Sequence, residues 1–326
     1  MVKTAFITGI TGQDAGYLAE FLLTKGYKVY GLMRRSATES TVNINHLIGE
    51  KDFELVHGDL ATENNLCTLI CRLKPDEVYN LASQSDVGIS FKIPEYTGDV
   101  TGLGVTRLLE ALRYFSPQSK LYQASTSELF GNAPAPQNEN TPMIPASPYA
   151  CAKLYGHTMV KVYRDAYKIF GCCGILFNHE SERRGINFVT RKITNAVAKI
   201  YLGEQDELVL GNTSARRDWG YAPDYVKAMW LMLQQDKPDD YVIGTGETHT
   251  VQEFVEEAFK VVKLDWRKYL KSNSAEFNRP SDVNYLQADN RKAQEKLNWI
   301  PSVTFKELVR IMVENDIKKE TRIANY

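Results

Sequence analysis

The sequence predicts an α/β fold, in which a doubly wound parallel sheet of the Rossmann type carries a smaller α/β C-terminal substrate domain. Three observations lead to this prediction. Val2 to Ile7 is a short apolar, β-branched run that passes directly into a glycine-rich turn and then a helical pattern. Predicted strands and helices then alternate as far as Ala124, which is typical of a parallel sheet. The chain has 326 residues, and a single core rarely stays undivided beyond about 250–300 residues.

The turn after the first strand spaces its small residues as Gly9, Gly12 and Ala15, and the helical pattern Tyr17–Leu23 follows. In such a turn the backbone comes close to a pyrophosphate, and the positive end of the helix faces it. A plain strand-to-helix turn is the alternative. We expect a dinucleotide to contact Gly9, Thr11, Gly12, Gln13 and Asp14.

The end of the second predicted strand indicates which dinucleotide binds. This strand, Lys28–Met33, is followed by Arg34 and Arg35. Arginine at this position accommodates the extra phosphate of NADP, whereas an acidic residue would bind the ribose hydroxyls of NAD. We therefore expect NADP as the cofactor.

Two further strands end in residues that should face the same cleft. Phe53–His57 is followed by Asp59 and Leu60, and Asp59 could hydrogen-bond an adenine. The strand Glu77–Leu81 comes next. At its carboxyl end the cleft should be lined by Leu81, Ala82, Ser83, Gln84 and Ser85.

A hydroxyl and a carboxylate follow the fifth predicted strand. The helix Tyr96–Tyr114 leads to this strand, Lys120–Ala124, and Thr126 and Glu128 come directly after it. Sites in parallel sheets lie outside the carboxyl ends of the strands. These two side chains are therefore candidates for proton transfer.

A tyrosine and a lysine four residues apart begin the next helical pattern. Ser147 suits its cap and Pro148 its first turn, so Tyr149 and Lys153 share one helix face. A tyrosine base at neutral pH needs its pKa lowered by about three units from ~10, roughly 4 kcal/mol. A fixed ammonium nearby favours the phenolate. Alone, this spacing is common on ordinary surface helices; with the glycine turn and the strand-end residues it indicates proton and hydride transfer.

Composition excludes several classes of partner. The formal net charge is -1 with both signs interspersed, so we expect no nucleic acid and no anionic membrane as partners. No stretch is apolar enough to cross a bilayer, and the first strand starts too early for a signal peptide. Five cysteines without metal-ligand spacing favour reduced thiols, a cytoplasmic location and no metal.

Several stretches together resemble the GDP-mannose 4,6-dehydratase family of the extended short-chain dehydrogenase/reductase superfamily, from about residue 3 to residue 315. They are GITGQD, LYQASTSELFG, SPYACAKLYG, GILFNHES, RRGINFVTRKI, RRDWGYAPDYVKAMWLML and KLNWIP. The resemblance implies tightly held NADP and a redox-neutral loss of water from GDP-mannose. The product would be GDP-4-keto-6-deoxymannose.

The resemblance also implies roles for four catalytic residues. Tyr149, as a phenolate, would take the proton from the sugar O4 while the C4 hydrogen leaves as hydride. Lys153 would lower the tyrosine pKa and bind the nicotinamide ribose, and Thr126 would hold O4. Glu128 would remove the C5 proton and help water to leave from C6. A simple dehydrogenase has no need of this carboxylate, so Glu128 favours a lyase.

Further family contacts fall on matching positions. His179 and Arg184 would face the cofactor. Arg191 could face guanine, phosphate or only solvent. The substrate would be held by Ser85, Asn178, Lys192, Gly211, Arg217, Arg279 and Asp282.

The domain prediction divides the chain into two discontinuous parts and a tail. Residues 1–178 plus about 212–243 form the NADP-binding Rossmann domain. Residues from about 179–211 plus 244–318 form the GDP-sugar-binding domain, in which Val251–Val262 and Phe305–Val313 are predicted helices. Residues 319–326 are predicted to fray.

The sequence departs from the family pattern in several places. It has QDAGYL where QDGSYL is usual, SQSDV where AQSHV is usual, and Asp282 where a glutamate is usual. The arginine-rich loop after Arg35 also diverges. In the family this loop reaches a neighbouring subunit, and the resemblance implies a homo-oligomer, either a dimer or a tetramer.

Two other functions compete with dehydration. One is reduction of the 4-keto intermediate to GDP-rhamnose, alone or after dehydration; an intact Glu128 disfavours reduction alone. The other is a non-catalytic NADP-binding regulator. That role predicts a broken catalytic set, whereas Thr126, Glu128, Tyr149 and Lys153 are all present.

Overall fold

The computed structural model describes residues 2–37, 40–272, 280–281 and 283–324. Its strands are β1 (Thr4–Thr8), β2 (Lys28–Met33), β3 (Phe53–His57), β4 (Glu77–Asn80), β5 (Lys120–Ala124), β6 (Gly171–Leu176), β7 (Asn178–Glu180), β8 (Leu208–Val209), β9 (Arg216–Arg217), β10 (Trp219–Tyr221), β11 (Tyr241–Ile243), β12 (His249–Thr250) and β13 (Leu270–Lys271). Its α-helices are α1 (Gln13–Thr24), α2 (Glu63–Leu73), α3 (Val87–Ser90), α4 (Pro94–Thr97), α5 (Gly104–Phe115), α6 (Pro148–Tyr167), α7 (Val189–Tyr201), α8 (Ala222–Leu233), α9 (Val251–Val261), α10 (Arg291–Leu297) and α11 (Phe305–Ala324).

The main sheet has seven strands in the order β11-β6-β5-β4-β1-β2-β3, and every neighbouring pair is parallel. The carboxyl ends of the strands therefore meet at one edge, and the strand order reverses between β1 and β4. This arrangement confirms the predicted doubly wound α/β fold. The bounds of β2, β3 and β5 also agree with the prediction.

Hydrophobic clusters cover both faces of this sheet. On one face, α1 and α8 contribute buried residues such as Leu18, Leu22 and Met229. On the other, α2, α5 and α6 contribute residues such as Leu108 and Val160. Helices on both faces explain why the central strands β1, β4, β5 and β6 are buried along nearly their whole length instead of alternating.

A separate hydrophobic cluster lies among α7, α9 and α11. Its fully buried members include Ile193, Phe254 and Met312. The segment after β13 does not all belong to it, because Leu297 and Trp299 pack in the cluster on the α1 and α8 face of the sheet. The predicted domain bounds stay a prediction. They assign residues 291–299 to the smaller domain, whereas these residues pack against the core of the main sheet.

Two helices differ from the sequence prediction. The predicted helix Tyr96–Tyr114 is divided into α4, a π-helical turn at Gly98–Leu103, and α5. Its glycines lower helix propensity, and Gly102 lies against the α6 backbone, where an added Cβ would be 3.4 Å from the Ala152 carbonyl oxygen. The last helix, α11, continues to Ala324, beyond the predicted start of the frayed tail at residue 319.

The second half of α11 is held by buried polar contacts. Asp316 is 1% exposed and accepts hydrogen bonds from Arg191 at 2.8 and 3.2 Å and from the Thr194 hydroxyl at 2.6 Å. Nζ of Lys319 donates to the Glu182 carbonyl oxygen at 3.2 Å. These contacts extend the helix past the apolar stripe that a sequence pattern detects. No helix in the described ranges is both long and apolar enough to span a membrane.

Candidate active site

A cavity of about 1470 Å³ opens at the carboxyl edge of the main sheet and extends to residues of α7 and β9. Its lining includes all four predicted catalytic residues. It also includes every predicted cofactor and substrate residue except Arg35, Arg279 and Asp282. Arg35 is exposed outside the lining, and Arg279 and Asp282 lie outside the described residues.

The glycine-rich turn forms one end of this cavity. Gly9 has φ +69°, and an added Cβ there would be 2.9 Å from the Cα of Ala82, so only glycine fits this close approach. The Gly12 N–H donates to the Gly9 carbonyl oxygen at 2.9 Å. Gly12 caps α1 with no side-chain hydrogen bond to the first-turn N–H groups. The turn therefore fits the pyrophosphate of a dinucleotide.

The exchange of QDGSYL for QDAGYL has a structural reason. The backbone carbonyl of Asn43 approaches Gly16, and a Cβ at this position would be 2.9 Å from that oxygen. The Asn43 side chain donates to the Thr11 carbonyl oxygen at 3.0 Å. The segment after β2 therefore packs against the start of α1, and glycine at position 16 makes room for it.

A buried ion pair neutralises the start of α1. Nε2 of His179 is 2.7 Å from Oδ2 of Asp14, and its Nδ1 is 2.8 Å from the Phe177 carbonyl oxygen. Burial lowers the pKa of His179, but the Asp14 carboxylate outweighs burial, so the net pKa is raised. The same pairing lowers the pKa of Asp14 despite its burial. Both ring nitrogens face oxygen acceptors, which requires the imidazolium.

A row of buried hydrogen bonds crosses three neighbouring strands. The Thr8 hydroxyl donates to Asn80 at 2.6 Å and accepts from the Ala82 N–H at 3.0 Å. Asn80 donates to the Gln123 side chain at 2.7 Å, and Gln123 donates to the Ala124 carbonyl oxygen at 2.9 Å. Nζ of Lys153 donates to the same carbonyl at 2.9 Å. The row connects the dinucleotide turn to α6.

Lys153 lies near Tyr149, as its spacing on the helix predicts, but its hydrogen bond is made to another group. Nζ of Lys153 lies 5.8 Å from the centre of the Tyr149 ring and is hydrogen-bonded to Ala124 instead. Burial raises the pKa of Tyr149 to about 12, the Thr126 hydroxyl lowers it in part, and the Glu128 charge raises it. Burial also lowers the pKa of Lys153 to about 8. The phenol is therefore the stable form of Tyr149 at neutral pH, and deprotonation needs a further positive charge.

Thr126 and Glu128 lie at the end of β5. Thr126 caps a 3₁₀ turn at Ser127–Phe130, and its hydroxyl accepts from the Glu128 N–H at 3.2 Å. Thr126 is 7% exposed, and the half-buried Glu128 lines the cavity. A phenol, a hydroxyl and a carboxylate thus share one end of the cavity, where they could move protons to and from a bound sugar.

Cationic side chains also line the cavity. Nε of Arg184 is 3.1 Å from Oε2 of Glu180, and Arg217 is 8% exposed and donates to the Arg216 carbonyl oxygen at 3.0 Å. Arg191, whose role the sequence left open, is structural. Its guanidinium pairs with Asp316 and donates to the carbonyls of Glu182 and Arg184 at 2.9 and 2.8 Å.

Tyr96 and Glu180 are among the lining residues that sequence reasoning missed. Tyr96 lines the cavity, and its hydroxyl accepts a hydrogen bond from the Arg34 guanidinium. Glu180 is 2% exposed and accepts from Thr190 at 2.6 Å as well as pairing with Arg184. The sequence signal for Tyr96 was Pro94, which marks the start of a helix in the segment that follows β4.

Asp86 replaces the histidine that the family pattern AQSHV has at this position. Its side chain caps α3 by accepting a hydrogen bond from the Ile89 N–H at 3.0 Å.

The fold and site define a dinucleotide-binding α/β enzyme of the short-chain dehydrogenase/reductase type. A family model described as GDP-mannose 4,6 dehydratase matches residues 6–312. GDP-mannose 4,6 dehydratase 2 of Arabidopsis thaliana is 52% identical, covering 98% of this chain and 88% of its own. The Homo sapiens GDP-mannose 4,6 dehydratase is 50% identical, covering 97% and 92%. The chain belongs to the GDP-mannose 4,6-dehydratase family.

A solved structure shares the fold at lower identity. The UDP-glucose 4-epimerase of Thermus thermophilus, in complex with NAD, superposes with a TM-score of 0.84 at 25% identity. The match covers 96% of this chain and 98% of that one. The whole described architecture, including the smaller cluster of α7, α9 and α11, is therefore shared with an enzyme of nucleotide sugars.

The buried Lys153 predicts a specific pH dependence of stability. Its pKa is about 8 in the folded chain and 10.5 in the unfolded chain, so between these values the unfolded state binds more protons. The penalty for burying the ammonium is therefore full below pH 8 and is relieved as pH rises. From pH 7.5 to 9.5 this relief should stabilise the nucleotide-free protein by about 2 kcal/mol.

Urea unfolding of the wild type and of Lys153→Met at both pH values measures this effect. The difference between the two proteins isolates Lys153 from the tyrosines and cysteines that also titrate. An equal pH dependence in both proteins would show that the lysine is not desolvated as described.

Proposed function

We propose that this cavity dehydrates GDP-mannose to GDP-4-keto-6-deoxymannose, in keeping with the family to which the chain belongs. The observation that carries the proposal is the Glu128 carboxylate, which lines the same cavity as Thr126 and Tyr149. Oxidation of an alcohol alone needs one base for the proton and an acceptor for the hydride. A second base beside them suits removal of a proton next to a ketone. The same observation disfavours reduction of the 4-keto sugar as the sole activity.

Three side chains divide the proton transfers. Tyr149 accepts the proton of the sugar O4 as C4 becomes a ketone, and Thr126 holds that oxygen by a hydrogen bond. The ketone acidifies the C5–H bond, and Glu128 removes this proton and passes it to the C6 hydroxyl, which leaves as water. Glu128, protonated again from solvent, gives a proton to C5 as a hydride is added at C6, and Tyr149 releases the O4 proton to solvent. Lys153 keeps a positive charge near this end of the cavity, since its pKa is about 8.

The proposed cofactor residues are those of the glycine-rich turn together with Arg34, Asp59 and Arg184, all of which line the cavity. The close approach of Gly9 to Ala82 and the uncapped N–H groups of α1 support a dinucleotide here. A bound nicotinamide dinucleotide would supply the redox chemistry, as acceptor of the C4 hydride and donor of that hydride to C6, and the positive charge of its oxidised ring would favour the phenolate of Tyr149.

The proposed substrate residues include two cations and several polar groups of the lining. Arg217 and Lys192 line the cavity and suit the diphosphate of GDP-mannose. Within the described ranges, Oδ1 of Asn178 is buried and lacks a hydrogen-bond partner, so it can accept from a sugar or nucleoside donor. Ser85 and Gly211 also line the cavity. Arg279 and Asp282 remain proposals that rest on the sequence.

Replacement of Glu128 tests the reaction. With GDP-mannose and no added reductant, the wild type should release a product lighter by one water. Glu128→Gln should bind GDP-mannose normally but lose about 10²–10⁴-fold in the rate of dehydration, because the general base is gone. Mass spectrometry gives the product, and deuterium incorporation at C5 in D₂O reports the proton step.

Glu95→Gln is the matched control, since Glu95 is an exposed glutamate of α4 outside the cavity lining. Unchanged dehydration by Glu128→Gln would remove Glu128 from the mechanism. A wild type that leaves GDP-mannose unaltered would refute the proposed function.

We propose NADP as the dinucleotide, and the two adjacent arginines provide a matched test. Arg34 lines the cavity beside Tyr96, whereas Arg35 lies outside the lining. Arg34→Ala should lower affinity for NADP by about 10–100-fold and leave NAD nearly unaffected, as expected for a charge-assisted contact to a phosphate. Arg35→Ala should change neither. Calorimetric titration of the wild type and both variants with NADP and with NAD measures these affinities. An equal loss of affinity for NAD would argue against a 2′-phosphate contact.

We also propose a homo-oligomer that buries the outer faces of α5 and α6. Leu103, Tyr155 and Val162 are 46%, 40% and 47% exposed, and the Thr106 and Tyr155 hydroxyls, 3.1 Å apart, join the two faces. Light scattering should give a mass two or four times the 37.0 kDa of one chain. Val162→Glu should lower that mass, and a wild-type monomer would contradict the proposal.

A further inference from the structure

The catalytic face of α6 carries a third buried titratable group. Tyr149, Lys153 and His157 follow one another at four-residue intervals, which places them on one face of the helix. They are 8%, 5% and 5% exposed. The first two line the cavity, whereas His157 lies behind its wall.

His157 contacts the strand end through Ser125. Its Nδ1 is 3.2 Å from the hydroxyl oxygen of Ser125, a cavity-lining residue that is 4% exposed. The Ser125 N–H is itself fixed by the Gly174 carbonyl oxygen at 2.9 Å. Ser125 lies between Ala124, whose carbonyl anchors Lys153, and Thr126, which caps the next turn. The His157 ring thus contacts the short segment that both anchors Lys153 and carries Thr126.

The surroundings of His157 determine where its proton lies. Nε2 is 4.0 Å from Oδ2 of Asp240, whose other oxygen accepts from the Cys173 N–H at 2.9 Å and pairs with Arg164. Burial lowers the pKa of His157, so the ring is neutral at pH 7. A neutral ring has one N–H, and the carboxylate on the Nε2 side favours the proton there. Nδ1 is then an acceptor, and the Ser125 hydroxyl must donate to it.

We propose that His157 is a positioning residue of this enzyme: as a neutral acceptor it fixes the Ser125 hydroxyl and thereby holds the segment from Ala124 to Thr126 in register with Tyr149. With its hydrogen directed at His157, the Ser125 oxygen presents only lone pairs to the cavity. Thr126 and the Lys153 anchor flank this fixed residue on either side. The inference rests on the proposed function, because it concerns the same catalytic segment.

The kinetic consequence should appear in kcat and not in KM. The segment held by His157 includes Thr126, which holds the reacting sugar oxygen, whereas the side chains that suit the diphosphate, Lys192 and Arg217, belong to α7 and β9. Displacement of catalytic groups by about 1 Å can reduce a rate by ~10²-fold. Loss of the His157 acceptor should therefore lower kcat by about 10–100-fold with KM changed less than about twofold.

A pair of isosteric variants separates positioning from packing. His157→Asn places an amide oxygen near the position of Nδ1, whereas His157→Gln places its amide near Nε2. The asparagine variant should keep kcat within about threefold of the wild type, and the glutamine variant should show the full loss. Lys161→Ala, at an exposed position of the same helix, is the unaffected control. Equal losses in both variants, or a change confined to KM, would overturn the proposal.

A double-variant cycle protects the test against a folding defect. Ser125→Ala should lower kcat as His157→Gln does, and the double variant should lose no more than either single one. Urea unfolding of each variant shows whether its fold is intact. Additive losses would mean that the two residues act separately, and the positioning role would be refuted.

A spectroscopic measurement decides the point independently of turnover. In nucleotide-free protein labelled with ¹⁵N-histidine, His157 should be neutral at pH 7 with its proton on Nε2, and Ser125→Ala should shift the Nδ1 resonance. A charged ring, or a proton on Nδ1, would overturn the proposal. If the wild type fails to convert GDP-mannose, the proposed function fails, and this measurement still decides the state of His157.

Discussion

The buried row of hydrogen bonds from Thr8 through Asn80 and Gln123 to the Ala124 carbonyl is the constraint on which the site depends. It runs across β1, β4 and β5, which are neighbours only because the sheet is parallel and its order reverses between β1 and β4. Each member is nearly or fully buried, so an unpaired amide or hydroxyl there would cost about 1–3 kcal/mol. The row therefore permits one register between the dinucleotide turn and the anchor of Lys153.

Asp14, Tyr149 and Lys153 are buried ionisable groups, and each is accommodated either by an ion pair or by a shifted pKa. Asp14 at the start of α1 would oppose a pyrophosphate, and His179 neutralises it. For Tyr149, burial outweighs the Arg184 charge and favours the neutral phenol. Lys153 donates to a carbonyl oxygen, and burial lowers its pKa to about 8. Protons in this cavity can consequently move in response to a charged ligand.

Local signals in the sequence were sufficient for the sheet and for most of the lining. The bounds of β2, β3 and β5 followed from apolar, β-branched runs that end at turn or polar residues. The glycine turn followed from a spacing that the backbone geometry of Gly9 explains. The common face of Tyr149 and Lys153 on α6 was also predictable, because helix geometry fixes which residues share a face. These features depend on residues close together in the chain.

Features that depend on distant residues could not be predicted in the same way. Spacing places Lys153 near Tyr149, but it does not reveal that the ammonium hydrogen-bonds a carbonyl of β5. The role of Arg191 was open because its partner, Asp316, lies 125 residues further along the chain. The true length of α11 was missed for the same reason. Its second half is held by polar contacts, which leave no apolar period in the sequence.

The distance between Arg191 and Asp316 also bears on how the chain is synthesised. Arg191 fixes the carbonyls of Glu182 and Arg184, so the loop beside the cofactor cavity is braced by a helix that leaves the ribosome much later. Domains generally fold as units during synthesis, N-terminal parts first. The parallel sheet can therefore assemble while this loop still lacks its brace. We therefore expect the dinucleotide pocket to be completed late in synthesis, after Asp316 has left the ribosome.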